Sequence, residues 1–139
     1  VHQLKREFPD CTIVINGGVG EWRAIERELA IVDGVMLGRV AYHDPWTLQQ
    51  ADASLYGASA PVATRAEALR AFMPYVERQL ARGVPMRSMV RHILGLYLGQ
   101  PGGRKFRQVL SDSRRLRDAG VALLDDALRE VEPMLDEAA

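Results

Sequence analysis

The sequence predicts a mixed chain, α/β at its amino end and all-α beyond it, on three observations. Two short apolar runs, Cys11–Ile15 and Val32–Leu37, flank one amphipathic stretch within about 25 residues, the pattern of a parallel βαβ unit. Each run ends on glycine, at Asn16-Gly17-Gly18 and at Gly38-Arg39. After Pro61 the strand pattern stops, and apolar residues recur at helical spacing. The 139 residues are 47% hydrophobic and 26% charged, which supplies a core and excludes a disordered or collagen-like chain.

Taken in order, His2 to Phe8 reads as the tail of a helix closed by Pro9-Asp10. Cys11-Thr12-Ile13-Val14-Ile15 is a largely β-branched run, expected as a strand buried on both faces. It stops at Asn16-Gly17-Gly18-Val19-Gly20. Glu21 to Ala30 places Trp22, Ile25 and Leu29 on one helical face. The second strand, Val32 to Leu37, ends at Gly38-Arg39. Two parallel strands can neither cover both faces nor close their edges, so the segment is expected to belong to something larger. From Asp44-Pro45 to Pro61 the pattern is loose, with one helical stretch near Leu48 to Leu55.

Beyond Pro61, Thr64 and Glu67 have the spacing of a capping box. Leu69, Met73, Val76 and Leu80 follow as an apolar stripe, with Gly83 as the stop and Pro74 predicting a kink. Pro85 is placed to open a helix that buries Met86, Val90, Ile93 and Tyr97 and ends near Gly99. Pro101-Gly102-Gly103 reads as a turn and Arg104 to Ser111 as a short helix. Leu124, Leu128, Val131 and Leu135 form the stripe of a last helix that starts near Val121. The expected division is therefore residues 1–60 and residues 61–139.

Lys and Arg number 18 and Asp and Glu 18, but the charges are segregated. Residues 1–64 carry a balance of −3, residues 65–117 a balance of +9, and residues 118–139 a balance of −6. Eleven of the twelve basic groups in the middle block are Arg. Their planar, bidentate chemistry suits phosphate and base edges, although solvated helix faces would look the same. A single cysteine, Cys11, excludes a disulfide scaffold and multi-cysteine zinc sites, and His2, His43 and His92 lack ligand spacing. No apolar run is long enough to span a bilayer and no basic-then-apolar leader opens the chain. A cytoplasmic, metal-free protein without an obligate protein partner is the expectation. The chain opens on Val1, not Met, which suggests that it continues upstream.

Ligands of parallel α/β proteins gather at the carboxyl ends of the strands. Glycine there lets backbone N–H groups approach an anion, and Arg39 could close such a site with a charge-assisted fork. Two consecutive strand ends of this kind resemble the phosphate site that (β/α)₈ barrels build after their last strands. Both corners could equally be tight turns.

The likeness becomes specific over Val14-Ile15-Asn16-Gly17-Gly18 and the string from Val32 through Gly38-Arg39-Val40-Ala41-Tyr42. It continues through Arg91-His92-Ile93-Leu94-Gly95-Leu96-Tyr97 and Gly99-Gln100-Pro101-Gly102-Gly103-Arg104. These motifs, in order and spacing, resemble the carboxyl-terminal part of the A-type tRNA-dihydrouridine synthases. The resemblance covers essentially the whole chain. It implies the last βα units of an FMN-binding TIM barrel (residues 1–60), followed by a small helical domain that grips tRNA (residues 61–139). It also implies reduction of the C5–C6 bond of D-loop uridines, of the 20/20a type, with NADPH as electron donor. Asn16, Gly17, Gly18, Gly38 and Arg39 match the FMN phosphate region, and Arg104 and Arg107 match positions that contact tRNA. Lys105, Arg87 and Arg91 are expected as solvated charges that could extend that surface.

The family protonates uridine C5 with a cysteine on an earlier barrel loop, which this chain does not contain, so the chain alone is expected to be inactive. Cys11, at the start of its strand, is expected to be a core or boundary residue. His92 is expected as a hydrogen-bonded structural residue, His43 as a loop residue, and Trp22, Trp46, Phe106 and Tyr97 as packing. Two other readings stay open: a phosphate- or flavin-binding barrel enzyme acting on a small molecule, and a non-enzymatic helical RNA-binding module.

Overall fold

The β-branched run around Ile13 makes a shorter strand than its composition predicts. In the computed structural model, which describes residues 1–132, β1 covers Val14–Asn16 and β2 covers Gly34–Met36. They pair in parallel, Val14 with Gly34, Ile15 with Val35 and Asn16 with Met36. Burial on both faces is not realised: Val14 is 54% exposed and Met36 42% exposed. A two-stranded sheet has one helix to cover it and leaves its outer edges unpaired. That helix, α2 (Trp22–Leu29), buries Ile25, and Val32 is buried just before β2. α1 (His2–Glu7) precedes β1 and is tied to α2 by the His2 imidazole against the Glu28 carboxylate. α3 (Arg39–His43) follows β2.

The chain divides into two compact units, Val1–Ala41 and the part from Tyr42 onward, with the boundary inside α3. The segment whose sequence pattern is loose belongs to the second unit. It holds a 3₁₀ helix (Pro45–Gln50) and α4 (Ala51–Tyr56), and Trp46 packs against the helical core.

α5 (Arg65–Ala81) starts where the capping signal places it. The Glu67 N–H donates to Thr64 Oγ1 at 3.1 Å, while the Glu67 carboxylate accepts from the Ala63 N–H at 2.7 Å, one residue earlier than in the standard box. The helix continues through Pro74. Its end is a complete Schellman motif: the Val84 N–H donates to the Gln79 carbonyl and the Gly83 N–H to the Leu80 carbonyl.

The next helix departs from expectation. α6 (Met86–Val90) stops after five residues, and the chain proceeds to Gly99 in successive turns with i to i−3 bonds, such as Ile93 N–H to Val90 and Leu96 N–H to Ile93. Within these turns a glycine allows a close approach: a Cβ at Gly95 would lie 1.8 Å from the His43 carbonyl oxygen. The turns bury Leu96 and Tyr97, while Ile93 is half-buried.

α7 (Gly103–Ser111) is followed by α8 (Ser113–Arg117), a short helix the apolar pattern does not reveal. Asp112 creates it by accepting from the Arg114 and Arg115 N–H groups at 2.8 and 3.4 Å. α9 (Ala122–Arg129) buries Leu124 and Leu128, and Val131 beyond it is also buried; Leu135 lies outside the described residues. The core runs from Leu69 to Val131 with the Tyr97 and Phe106 rings 4.8 Å apart. No helix among the described residues is long and apolar enough to cross a membrane.

The start of α7 is a second close approach of this kind. A Cβ at Gly103 would stand 2.0 Å from the Tyr97 carbonyl oxygen. Gly103→Ala is therefore expected to lower stability by about 2 kcal/mol, the scale of overpacking. Gly120→Ala, where a Cβ meets nothing within 4 Å, should change stability by no more than about 0.5 kcal/mol. Urea denaturation of the two variants checks this, and equal midpoints would contradict it.

Candidate functional site

Because β1 and β2 are parallel and in register, their carboxyl ends share one end of the sheet. That end carries Asn16-Gly17-Gly18 after β1 and Gly38-Arg39 after β2, so the two predicted corners are neighbours. The segments beyond them touch: a Cβ at Gly20 would lie 3.2 Å from a Val40 methyl. Gly17 (φ +97°) and Gly18 (φ +76°) are consecutive left-handed residues, a conformation L side chains rarely adopt. A Cβ on either would meet nothing within 4 Å, so the space in front of this backbone is open. The Gly18 and Val19 N–H groups donate to no acceptor among the described residues. Gly38 differs, since a Cβ there would make ordinary contact with Met36. Arg39, exposed at the start of α3, has no carboxylate within 4.0 Å among the described residues. Open amides and an unpaired guanidinium at one sheet end fit a phosphate group, including that of the FMN the resemblance implies.

The opposite end of the strands is held by a latch. The Asp33 carboxylate accepts from the Ile13 N–H at 2.8 Å and from Lys5 Nζ at 3.0 Å, while the Asp33 N–H donates to the Ile13 carbonyl at 3.0 Å. Lys5 Nζ also donates to the Pro9 and Cys11 carbonyls. The Ile13 amide, then Lys5, holds the Asp33 carboxyl below the usual carboxylate range.

In the second unit, Arg104 and Arg107 lie on the outer side of α7, exposed and without a carboxylate partner among the described residues. Phe106 between them is fully buried and fixes that face outward. Lys105 approaches Glu130 at 3.7 Å, which partly neutralises it; Arg87 and Arg91 are exposed. Arg129 is paired with Asp126. The glycine corners and the α7 arginines thus belong to different units.

Several single-residue expectations change. Cys11 is exposed and lies outside β1, so it is not a core residue. His92 is exposed and sits edge-on to Tyr42 at 5.6 Å, with no side-chain hydrogen bond among the described residues. His43 ends α3 instead of lying in a loop and is also edge-on to Tyr42. Tyr97 and Phe106 pack in the core, and Trp46 is half-buried beneath the Arg65 guanidinium, 4.9 Å from the ring centre. Arg65 itself escapes a pattern-based search. Its one signal is a cation at the first position of a helix, against the helix dipole. Among the described residues no three His, Cys, Asp or Glu side chains are grouped to hold a metal.

Comparison with known proteins agrees along nearly the whole chain. The dihydrouridine synthase family profile matches residues 1–132. A tRNA-dihydrouridine(20/20a) synthase of Xylella fastidiosa is 50% identical over 132 residues, covering 95% of this chain and 39% of that protein. Proteins of the same name from Pseudomonas aeruginosa and Yersinia pestis are 47% and 42% identical; they cover 88% and 99% of this chain and 39% and 40% of their own lengths. The chain thus spans about two fifths of these curated relatives.

The latch predicts a pH dependence at the strand ends. A carboxyl with a folded pKa below its unfolded value stabilises fully above the unfolded value, about 3.9, and loses that contribution as pH falls through the folded one. Amide protection at Ile13 and Ile15 is expected to hold at neutral pH and to drop as Asp33 is protonated below pH about 4. Asp33→Asn should abolish that acid step. Hydrogen exchange across this range, with the Asp33 carboxyl followed by NMR, checks it.

Proposed function

Because the chain belongs to the dihydrouridine synthase family, we propose that it is the carboxyl-terminal part of an FMN-dependent tRNA-dihydrouridine synthase of the 20/20a type. In this reading residues 1–60 contribute strands to the barrel and residues 61–139 form the tRNA-binding helical domain. The observation that carries it is the pair of open left-handed glycines, Gly17 and Gly18, beside Gly38-Arg39 at one sheet end. They stand in a chain matched to the family over residues 1–132.

Reduced FMN supplies the electrons that saturate the C5–C6 bond of a tRNA uridine, with NADPH as their source. This chain's residues bind and orient. The amides of Gly18 and Val19 hold phosphate oxygens in the space that the left-handed Gly17 leaves open, Asn16 closes the strand end beside them, and the Arg39 guanidinium neutralises the anion. Arg104 and Arg107 take RNA phosphates. Cys11 has no part in the chemistry: it precedes β1, at the end away from the corners. As the chain's single cysteine, it leaves the C5 proton donor to a part of the enzyme outside this chain. The chain by itself is therefore inactive. A cytoplasmic setting goes with this reading.

In the intact protein, Arg39→Ala should weaken FMN binding by about 2 kcal/mol or more, the scale for truncating one side of a desolvated charge pair. Gly17→Val should be at least as damaging, because a branched side chain fills the space a phosphate needs. Flavin titration decides it, and parental affinity in both variants would remove the phosphate site.

Binding of tRNA by the 139-residue chain should weaken with salt, log K falling roughly 0.7–0.9 per decade for each phosphate neutralised. Arg104→Ala combined with Arg107→Ala should lower both affinity and slope, whereas Arg129→Ala, already paired with Asp126, should do little. Filter binding at several salt concentrations is the measurement. Salt-independent binding would favour a small-molecule barrel enzyme instead.

A further inference from the structure

Beside the first turn of α5 lies a pocket of about 560 Å³ that the proposed function does not use, lined by Trp46, Thr64, Arg65, Tyr97, Gln100 and Glu132 among others. Arg65 sets its chemistry. The half-buried guanidinium is held in place by Nε donating to the Leu96 carbonyl at 2.9 Å and by the Trp46 ring beneath it. Its four terminal N–H groups meet no acceptor among the described residues.

Burial pulls the Arg65 pKa below its ordinary value, against the opposing pull of the Asp44 carboxylate, with which it makes no ion pair. A cation in this state gains from a bound anion. Three further donors face the same need. The Arg65 and Ala66 N–H groups, in the first turn of a 17-residue helix, have no acceptor among the described residues. Tyr97, 2% exposed on the pocket wall, has a buried hydroxyl with no hydrogen-bond partner among the described residues. The one carboxylate on the wall among the described residues, Glu132, is engaged by Arg70 at 2.5 Å. A cation at the first helical position also opposes the helix dipole, and an anion between the two would turn that repulsion into shared attraction.

We propose that this pocket takes a phosphate group of the bound RNA, received by the Arg65 fork and the amides of the first turn of α5, with Trp46 as the rigid support. The proposal rests on the tRNA reading above and adds an anchor apart from Arg104 and Arg107.

The test uses the 139-residue chain carrying Trp22→Phe, so that Trp46 is the single tryptophan reporter, with a tRNA transcript and, separately, inorganic phosphate. Added tRNA is expected to change Trp46 emission. Arg65→Gln should weaken tRNA binding about tenfold and reduce the salt slope by roughly 0.7–0.9, one phosphate's share. Arg65→Lys, which keeps the charge and loses the fork, should fall between the two. If Arg65→Gln fails to fold by circular dichroism, Arg65→Lys and the emission change decide. Parental affinity and slope in the Arg65 variants, with binding lost in the Arg104→Ala, Arg107→Ala protein, would overturn the pocket and leave the RNA reading standing. An emission change with inorganic phosphate but none with tRNA would assign the pocket to a free anion and also overturn it. Absence of tRNA binding by the parent chain would remove both readings together.

Discussion

Backbone crossing backbone at glycine is the constraint on which the helical unit depends. At Gly103 the chain passes so close to the Tyr97 carbonyl that a Cβ would sit at 2.0 Å, and at Gly102 one would stand 2.9 Å from the Glu130 carbonyl oxygen. These approaches bring the turns around Tyr97, the start of α7 and the end of α9 to one point. The Tyr97 ring then meets Phe106, and Phe106 orients α7. With the inner face so occupied, Arg104 and Arg107 have only the outside left to them. The exposed charge is thus placed by an interior contact in which it takes no part.

The first unit is organised along its strands instead. At their amino ends, Asp33, Ile13 and Lys5 satisfy one another's polar groups and fix the register. At their carboxyl ends the amides of Gly18 and Val19 meet no acceptor among the described residues. One end settles its hydrogen-bonding needs internally and the other presents them outward. This division matches the rule that parallel strands keep stability at one end and ligands at the other.

Much of this was legible in the sequence where a local rule and the packing agree. The Thr64 and Glu67 spacing locates the start of α5, the stripe through Leu124 and Leu128 locates α9, and two apolar runs about a helix give a parallel pair. The neighbourhood of the two glycine corners follows from that pairing. Legibility fails where a distant part of the chain decides. Met86 to Tyr97 has helical periodicity, yet the helix ends at Val90, the chain goes on in i to i−3 turns, and Gly95 meets the His43 carbonyl from far upstream in the chain. α8 depends on one Asp112 carboxylate and carries no stripe. Cys11 and Val14 look like core residues by composition, but two strands cannot cover them. Arg65 is one of twelve basic residues in its block, and only the fold shows that Trp46 and Leu96 hold it still.

The hydrophobic cluster from Leu69 to Val131 draws every one of its fully enclosed members from the second unit. A body whose interior is filled by its own residues can be exchanged by gene fusion without opening a hole in whatever it is joined to. Such a unit is a cassette in the engineering sense: it can be recombined at the join in one step while its own interior stays intact. The strands of the first unit lack that freedom, because their uncovered faces commit them to a host sheet of complementary shape.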